Sequence, residues 1–390
     1  FDLVGNRLEK SVDRSRDAVV DEIFSYAYDL NDRLLTETLD HQSDNSQDHY
    51  TEYGYDNTQQ TSKTVHAGAD ANAPVVESHD YTFNLQGRMA SAKVSRYDSG
   101  GTTLQQHERE TYEYDDSGIR AAKTVEVDVN TDGDFDDAGT DTTTRTDYHV
   151  DKQNHTGYAQ VLEEMQGDVV QKSWTIGHDV FLEAGAANQL RQLLKDGHGS
   201  TRQLVDALGN VIQNGQTPQV FAYDAYGVPI GFALSGALTS LLYSGEQTDQ
   251  LTGLQYLRAR YYDPSTGTFN RLDPFAGNFS HPQSLHKYLY AHGNPMQGID
   301  PSGAFLDITM AGLTGAFMWV SVLAYVGTSI VEATHALSKF WEIGFGGYDA
   351  TNRLLELRRL LRDKWYGTGG QVRLSDNKKQ QISNALHYTA

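Results

Sequence analysis

The first third of the chain repeats one short phrase, an aromatic residue followed by Asp or Asn. From Asp2 the phrase returns in steps of 27, 27, 28 and 31 residues. Its five occurrences are Phe1-Asp2, Tyr28-Asp29, Tyr55-Asp56, Phe83-Asn84 and Tyr114-Asp115. A period of this length is typical of a stacked array, in which each unit buries its apolar face only against its neighbours. The sequence therefore predicts a repeat architecture.

Aromatic residues alternate upstream of the phrases, as in Phe24, Tyr26 and Tyr28. A period of two places such side chains on one face of a β-strand, and the Asp and Gly that follow favour a hairpin turn. The 23 Tyr and 36 Gly of the chain are likewise typical of strands that are broken by turns. We predict antiparallel hairpins whose rings line up between neighbouring units and pack there, without binding a ligand.

Composition excludes several kinds of chemistry. The chain has no Cys, which rules out disulfides, Cys-ligated zinc and a thiol nucleophile. Its formal net charge is −21, and residues 301–390 carry more Lys and Arg than Asp and Glu, so the acidity falls on the first 300 residues. An acidic body of this size repels nucleic acid, whereas the C-terminal segment is not excluded from binding it.

The segment 253–303 ends the array. It holds three Asp-Pro pairs, at Asp263, Asp273 and Asp300, and each pair fixes a turn because proline restricts its own φ and the residue before it. It also contains the phrases GLQYLRARYYDPSTGTF, RLDP, SLHKYLY and NPMQGIDPSG. On these phrases the segment resembles the RHS-repeat-associated core domain of bacterial YD-repeat proteins. That group includes polymorphic toxins and the C component of insecticidal Tc toxins.

The resemblance implies a mainly β fold, a spiralling shell of antiparallel β-hairpin repeats with a core-domain plug. It assigns residues 1–240 to the shell, 241–303 to the core domain and 304–390 to a variable, effector-like segment that the core domain cuts off. That segment would be the cargo of the shell, and the implied partners are upstream repeats or a delivery protein, together with an immunity protein. A secreted or cell-surface location is implied as well, with any signal upstream of Phe1.

The resemblance also implies which residues cut the chain. The catalytic arginine of the family falls on Arg260 and its two aspartates on Asp273 and Asp300, with cleavage after Ala304 and before Phe305. Two carboxyl groups in a dry site cannot both ionise freely, so one acts as acid and the other as base, while a guanidinium orients one of them. The chain departs from the family pattern at the cleavage position, where relatives commonly carry Leu.

Two histidines near the plug, His286 and His292, are further candidates as donors to these aspartates. A second interpretation keeps the aspartates in a purely structural role, because Asp-Pro is a common turn dipeptide. The chain would then be a non-cleaving cell-surface adhesion or scaffold protein of the YD-repeat type. Self-cleavage of the purified protein separates the two interpretations.

An acidic stretch, VDVNTDGDFDDAGT, occupies residues 127–140. Its first half matches a calcium-binding loop, with oxygen-bearing residues at alternate positions and glycine at the sixth. The predicted ligands are Asp128, Asn130, Asp132, Asp134 and Asp136. The twelfth position is Gly139 instead of the bidentate Glu, and no flanking helix is evident, so a solvated acidic hairpin tip is the competing prediction. No other cofactor is predicted.

The C-terminal segment is predicted to be mostly α-helical. Residues 308–331 contain no charge and are long enough to span a bilayer as a helix. They are open to three interpretations: a helix buried in the fold of the segment, a membrane-inserting helix, or a chain kept unfolded inside the shell until release. Residues 351–365 carry Leu at helical spacing and Arg on other faces, which predicts an amphipathic helix with a basic side. No nuclease, deaminase or ADP-ribosyl-transfer signature identifies an activity in residues 304–390.

Overall fold

A computed structural model describes residues 1–304, apart from residues 16, 43–47, 138–139, 155, 178, 186–188 and 278–281. The described residues belong to one compact unit and are mainly β, with only short 3₁₀ turns as helices. No helix in this part of the chain is long and apolar enough to cross a membrane. The predicted helical segment, its apolar stretch 308–331 and the amphipathic helix at 351–365 lie outside the described residues.

Fifteen antiparallel strands form one sheet, and each strand pairs with the next one along the chain. The strands are β1 (Glu9–Val12), β2 (Glu22–Tyr28), β3 (Leu34–His41), β4 (His49–Asp56), β5 (Gln59–Ala67), β6 (Val75–Phe83), β7 (Met89–Tyr97), β8 (Leu104–Tyr114), β9 (Arg120–Asp128), β10 (Thr142–Asp151), β11 (Gln160–Gln166), β12 (Val169–Ile176), β13 (Val180–Ala184), β14 (Leu190–Lys195) and β15 (Thr201–Val205). This is the run of hairpins that the period of the repeated phrase predicts. We call it the repeat sheet.

The repeated phrase lies at every second turn from β2 to β9, as the sequence predicted. The amide nitrogen of Asp115 donates to the carbonyl oxygen of Ile119 (2.9 Å), and its Oδ1 accepts from the amides of Ser117 and Ile119. Gly118 lies at φ +76°, where a side chain would be strained. The same side-chain capping recurs at Asp29, Asn84, Asp196, Asp206 and Asp224.

The alternating aromatic residues face inward and meet between units. Tyr26 and Tyr53 are buried in one cluster with Leu34. Tyr81 and Tyr112 are buried in a second cluster, which also takes in aromatic residues of the segment 253–303. The prediction that these rings line up and pack is therefore confirmed, and the inner face of the repeat sheet is the side that receives the core.

A second, much smaller sheet lies within residues 241–303, the predicted core domain, which we call the core segment. Its four short strands are β20 (Gln247–Thr248), β21 (Gln255–Leu257), β22 (Arg260–Asp263) and β23 (Thr268–Phe269), and we call them the core sheet. Between the two sheets the chain forms two-stranded ribbons, β16 (Gln213–Asn214) with β17 (Thr217–Pro218) and β18 (Ala222–Tyr223) with β19 (Pro229–Ile230). Short 3₁₀ turns occupy Leu234–Gly236, Tyr243–Gly245, Pro282–Leu285 and Tyr290–Gly293.

Arginines of the repeat turns attach the repeat sheet to the core segment. Arg7 donates to the carbonyl oxygens of Ser265 (2.9 Å) and Thr266 (2.8 Å). Arg120 donates to Asp249 Oδ2 (2.7 Å), and both side chains are almost completely buried. Each arginine follows a repeat turn, so the repeating sequence that makes the hairpins also supplies the contacts that hold the core.

Candidate functional site

Arg260 lies at the centre of the candidate site. It begins β22, directly after the two-residue connection from β21, and its side chain is 1% exposed. Its guanidinium stacks on the ring of Phe269, 3.5 Å from the centroid. Burial lowers the pKa of Arg260, and two neighbouring carboxylates oppose that shift. A buried guanidinium of this kind is stable only when anionic partners lie close to it.

Those partners are Asp273 and Asp300, which both contact one nitrogen of the guanidinium. Arg260 Nη2 lies 2.8 Å from Asp273 Oδ2 and 3.3 Å from Asp300 Oδ2. The Asp273 side chain is 15% exposed and that of Asp300 is 5% exposed. The arrangement brings two carboxyl groups together around a fixed cation in a site that is almost closed to water.

Turn geometry fixes each aspartate. The amide of Asp273 donates to the carbonyl of Lys287 (2.9 Å), and its Oδ1 accepts from the amide of Phe275 (2.7 Å). Asp300 Oδ1 accepts from Ser302 Oγ (2.9 Å) and from the amide of Ala304 (3.2 Å). In both cases one carboxylate oxygen closes the Asp-Pro turn and the other oxygen faces Arg260.

Gly303 allows the end of this turn to approach the core sheet. Its φ is +66°, and a Cβ at this position would overlap the carbonyl oxygen of Leu257. Arg260 Nε donates to the carbonyl oxygen of Gly303. The guanidinium therefore contacts both carboxylates and the backbone one residue before the predicted cleavage position.

The structure thus brings together Arg260, Asp273 and Asp300, and it places Ala304 beside them. Phe305 lies outside the described residues, so the cleaved bond and the catalytic roles stay predictions. Of the two candidate histidines, His286 does not contact the aspartates, because both of its ring nitrogens are used elsewhere. Its Nε2 pairs with Asn6 Oδ1 (2.8 Å), and its Nδ1 accepts from the amides of Tyr288 and Leu289.

The acidic stretch forms the connection between β9 and β10, and it differs from the predicted calcium loop. Asp132 and Asp134 come together with Asp137, with carboxylate oxygens within 4.8 Å of one another. Asp137 was not predicted, whereas Asp136 was predicted and lies outside this group. The reason is that the connection bends back, with Asn130 Nδ2 donating to both Asp132 and Asp137.

Of the two other predicted ligands, Asn130 contacts two members of the three-residue group, whereas Asp128 is not a member of it. Asp128 ends β9 and is 2% exposed. Its Oδ2 accepts from the amide of Gly133 (2.9 Å), so the carboxylate faces into the loop. Its buried Oδ1 has no hydrogen-bond partner in the described part of the chain. Gly139, the predicted twelfth position, is not among the described residues.

The fold and the site define a class of protein: an antiparallel repeat sheet packs around a small core sheet, and the core holds two carboxylates on one buried arginine. Over 197 residues, 50% of its length, the chain is 32% identical to the tRNA3(Ser)-specific nuclease WapA of Bacillus spizizenii. The same alignment covers 7% of that nuclease, so the chain spans a small part of this relative.

Two further comparisons found similar chains. The chain is 32% identical over 144 residues to salivary gland surface protein 1 of Aedes aegypti, an alignment that covers 36% of this chain and 4% of that protein. Among solved structures it is similar to TcdB2-TccC3, at 18% identity and a TM-score of 0.36, over 73% of this chain and 19% of that one. No family model matches the chain.

Proposed function

We propose that this chain is the C-terminal part of an RHS-type toxin whose core segment cuts its own chain after Ala304. The observation that carries the proposal is the single guanidinium of Arg260 shared by Asp273 and Asp300, next to the backbone of residues 303–304. The similarity to a WapA nuclease supports a toxin-type protein. The core segment would then be an intramolecular protease.

The reaction that fits these groups is hydrolysis by paired carboxyls. One carboxylate takes a proton from water, and the resulting hydroxide forms a bond to the carbonyl carbon of Ala304. The bond from that carbon to the nitrogen of Phe305 breaks, and the other carboxyl, in its protonated form, gives its proton to that nitrogen. Arg260 keeps both carboxyls in place throughout, since it is bound to both and buried. Each molecule performs one turnover.

The proposed cleavage would release residues 305–390 from the rest of the chain. In this proposal the repeat sheet, with upstream repeats or a delivery protein, encloses the segment as cargo. An immunity protein protects the producing cell, and the apolar stretch 308–331 is the part that meets a membrane. The protein acts outside the cell that makes it or at the surface of that cell.

Intact mass measurement tests the proposal. The purified chain should separate into two pieces whose masses add up to the intact mass plus one water, with the larger piece ending at Ala304. Asp273→Asn and Asp300→Asn should leave the chain whole. Asp263→Asn is the matched control, because Asp263 also opens an Asp-Pro turn in the core but caps Ser265 instead of binding Arg260. A wild-type chain that stays intact after long incubation at neutral pH overturns the proposal.

The alternative is a non-cleaving surface adhesion or scaffold protein. Two observations favour it: both aspartates close turns through their Oδ1 atoms, and part of the chain is similar to a salivary gland surface protein. In this case both the wild type and Asp273→Asn would stay whole, and the substitution would only lower the stability of the protein. Retention of the C-terminal segment on cells, equally in wild type and in Asp273→Asn, would support this function.

A further inference from the structure

The hairpin between β21 and β22 contacts three consecutive carbonyl groups of the turn that precedes the proposed cleavage position. Arg258 Nη1 donates to the carbonyl of Pro301, and the amide of Ala259 donates to that of Ser302 (3.2 Å). Arg260 Nε donates to the carbonyl of Gly303. Residues 258, 259 and 260 thus hold the carbonyls of residues 301, 302 and 303 in order.

Arg258 differs from Arg260 in what else it binds. It contacts neither catalytic aspartate in the described structure, and its Nη1 also donates to Glu246 Oε2 (2.9 Å). Its Nε donates to the carbonyl of Ala159 (2.9 Å), which directly precedes β11 of the repeat sheet. The side chains of Arg258 and Glu246 are 10% and 11% exposed. Arg258 therefore connects the turn at Pro301 to the repeat sheet.

The backbone of Arg258 adds a second observation. Its φ is +61°, a conformation that costs a non-glycine residue free energy and favours glycine. Glycine would adopt this backbone conformation at lower cost. The presence of arginine here therefore indicates that its side chain has a role. A planar guanidinium presents donors in several fixed directions, which lets one residue reach a carboxylate and two carbonyls, whereas an ammonium is a single point charge.

We propose that Arg258 is a positioning residue for self-cleavage, one that holds the turn at residues 301–303 in register with Arg260 and the two aspartates. This inference rests on the proposed function, because it concerns the same site. In this proposal Glu246 orients the guanidinium of Arg258. The carbonyl of Ala159 accepts a hydrogen bond from Arg258 and so connects the turn to the repeat sheet. A misplacement of the reacting atoms by about 1 Å can cost about 100-fold in rate.

Arg258→Gly tests the inference, because glycine suits the backbone while the contacts of the side chain are lost. We expect cleavage to slow by about 100-fold, with partial recovery when millimolar methylguanidinium is added. Arg258→Lys should also slow cleavage, but less than Arg258→Gly. If Arg258→Gly does not fold, the slowing in Arg258→Lys is the measurement that tests the inference. A purely structural role predicts no recovery with methylguanidinium.

The matched control is Arg191→Gly. Arg191 is also a buried arginine that pairs with a buried glutamate, Glu183 (2.7 Å), and donates to a backbone carbonyl, that of Leu238 (3.2 Å). It touches none of residues 300–304 in the described structure, so its loss should leave the cleavage rate of the folded protein unchanged. An equal slowing in both variants overturns the inference.

A second measurement separates failure of this inference from failure of the proposed function. In the Asp273→Asn background the chain should stay whole, and hydrogen exchange of the amides at residues 302–304 can be followed directly. Adding Arg258→Gly should speed that exchange by about tenfold, because the turn loses a hydrogen bond from a charged group, whereas adding Arg191→Gly should not. Unchanged exchange with Arg258→Gly overturns the positioning role, whereas a wild-type chain that never cleaves overturns the proposed function.

Discussion

The repeat sheet and the core sheet both pair each strand with its neighbour in sequence, but they differ in what holds them together. In the repeat sheet the strands are long, and Asp or Asn of one repeated phrase caps hairpin turns between them. The core sheet has strands of two to four residues, too short to be stable alone, and it is held by side chains from distant repeats. Local sequence thus forms the repeat sheet, and long-range contacts form the core.

The two regions also treat charge differently. The cross-strand pair of Arg109 and Glu126 on the repeat sheet is partly exposed, with 40% and 21% of the side chains accessible. The pair that joins the repeat sheet to the core, Arg120 and Asp249, has side chains that are 1% and 3% exposed. A partly exposed pair contributes little to stability, but the loss of one partner of a buried pair leaves the other charge without compensation.

The largest effect is expected from loss of the contact between Arg120 and Asp249. Asp249→Asn should lower the free energy of unfolding by about 3–5 kcal/mol, because Arg120 and Lys123 then lose a buried anion. Glu126→Gln should cost less than about 1 kcal/mol on the repeat sheet. Denaturant titration of both variants measures the contrast, and similar losses for the two would contradict it.

The pH dependence of the wild type gives a second readout of the same contact. Burial alone would raise the pKa of Asp249, but Arg120 and Lys123 outweigh burial and hold the pKa below its usual value. A lowered pKa means that this stabilisation is present above the unfolded-state pKa and is lost as pH falls through the folded-state pKa. Asp249→Asn should therefore lose less stability than wild type as pH falls below the pKa of an aspartate in the unfolded chain, about 3.9.

The next effect concerns the core turn at Gly303. Gly303→Ala should slow cleavage by about 100-fold, because a Cβ meets the carbonyl of Leu257 and displaces the turn. Gly133→Ala is the control in the loop of the repeat sheet, since Gly133 also has a positive φ, +103°, but nothing lies within 4 Å of its Cβ position. That variant should cleave at the wild-type rate. A time course of the two products, resolved by mass, compares them.

The smallest effect is expected in the acidic loop between β9 and β10. If calcium binds Asp132, Asp134 and Asp137, millimolar calcium should stabilise the protein by on the order of 1 kcal/mol. Asp134→Asn should abolish that gain, whereas Asp136→Asn should keep it, because Asp136 lies outside the group. Thermal unfolding with and without calcium measures the gain. Its absence in wild type would favour the solvated hairpin tip.

The sequence predicts the repeat sheet well because its determinants are local. The capping Asp, the glycine with positive φ and the alternating aromatics all lie within one unit, and the structure shows each in its expected place. The three candidate site residues could be named only through a family resemblance. No periodicity relates Arg260 to Asp300, which is 40 positions away.

The parts that sequence reasoning missed are those that need the folded chain. Arg120 finds its carboxylate 129 positions along the chain, and Arg258 reaches Pro301 over 43 positions. The acidic group contains Asp137 and not the predicted Asp136 because of how the loop bends. The alternate spacing of the acidic residues does not predict that bend. Sequence patterns predict contacts between residues that are near in sequence. They do not predict contacts between residues that only the folded chain brings together.

The contacts of the β21–β22 hairpin with three consecutive carbonyls bear on what would follow a cut after Ala304. All three carbonyls lie on the N-terminal side of that bond, so the new chain end would stay bound to the hairpin, with Arg260 still donating to Gly303. The product of the proposed reaction would then occupy the site that made it, which would limit the reaction to that single bond.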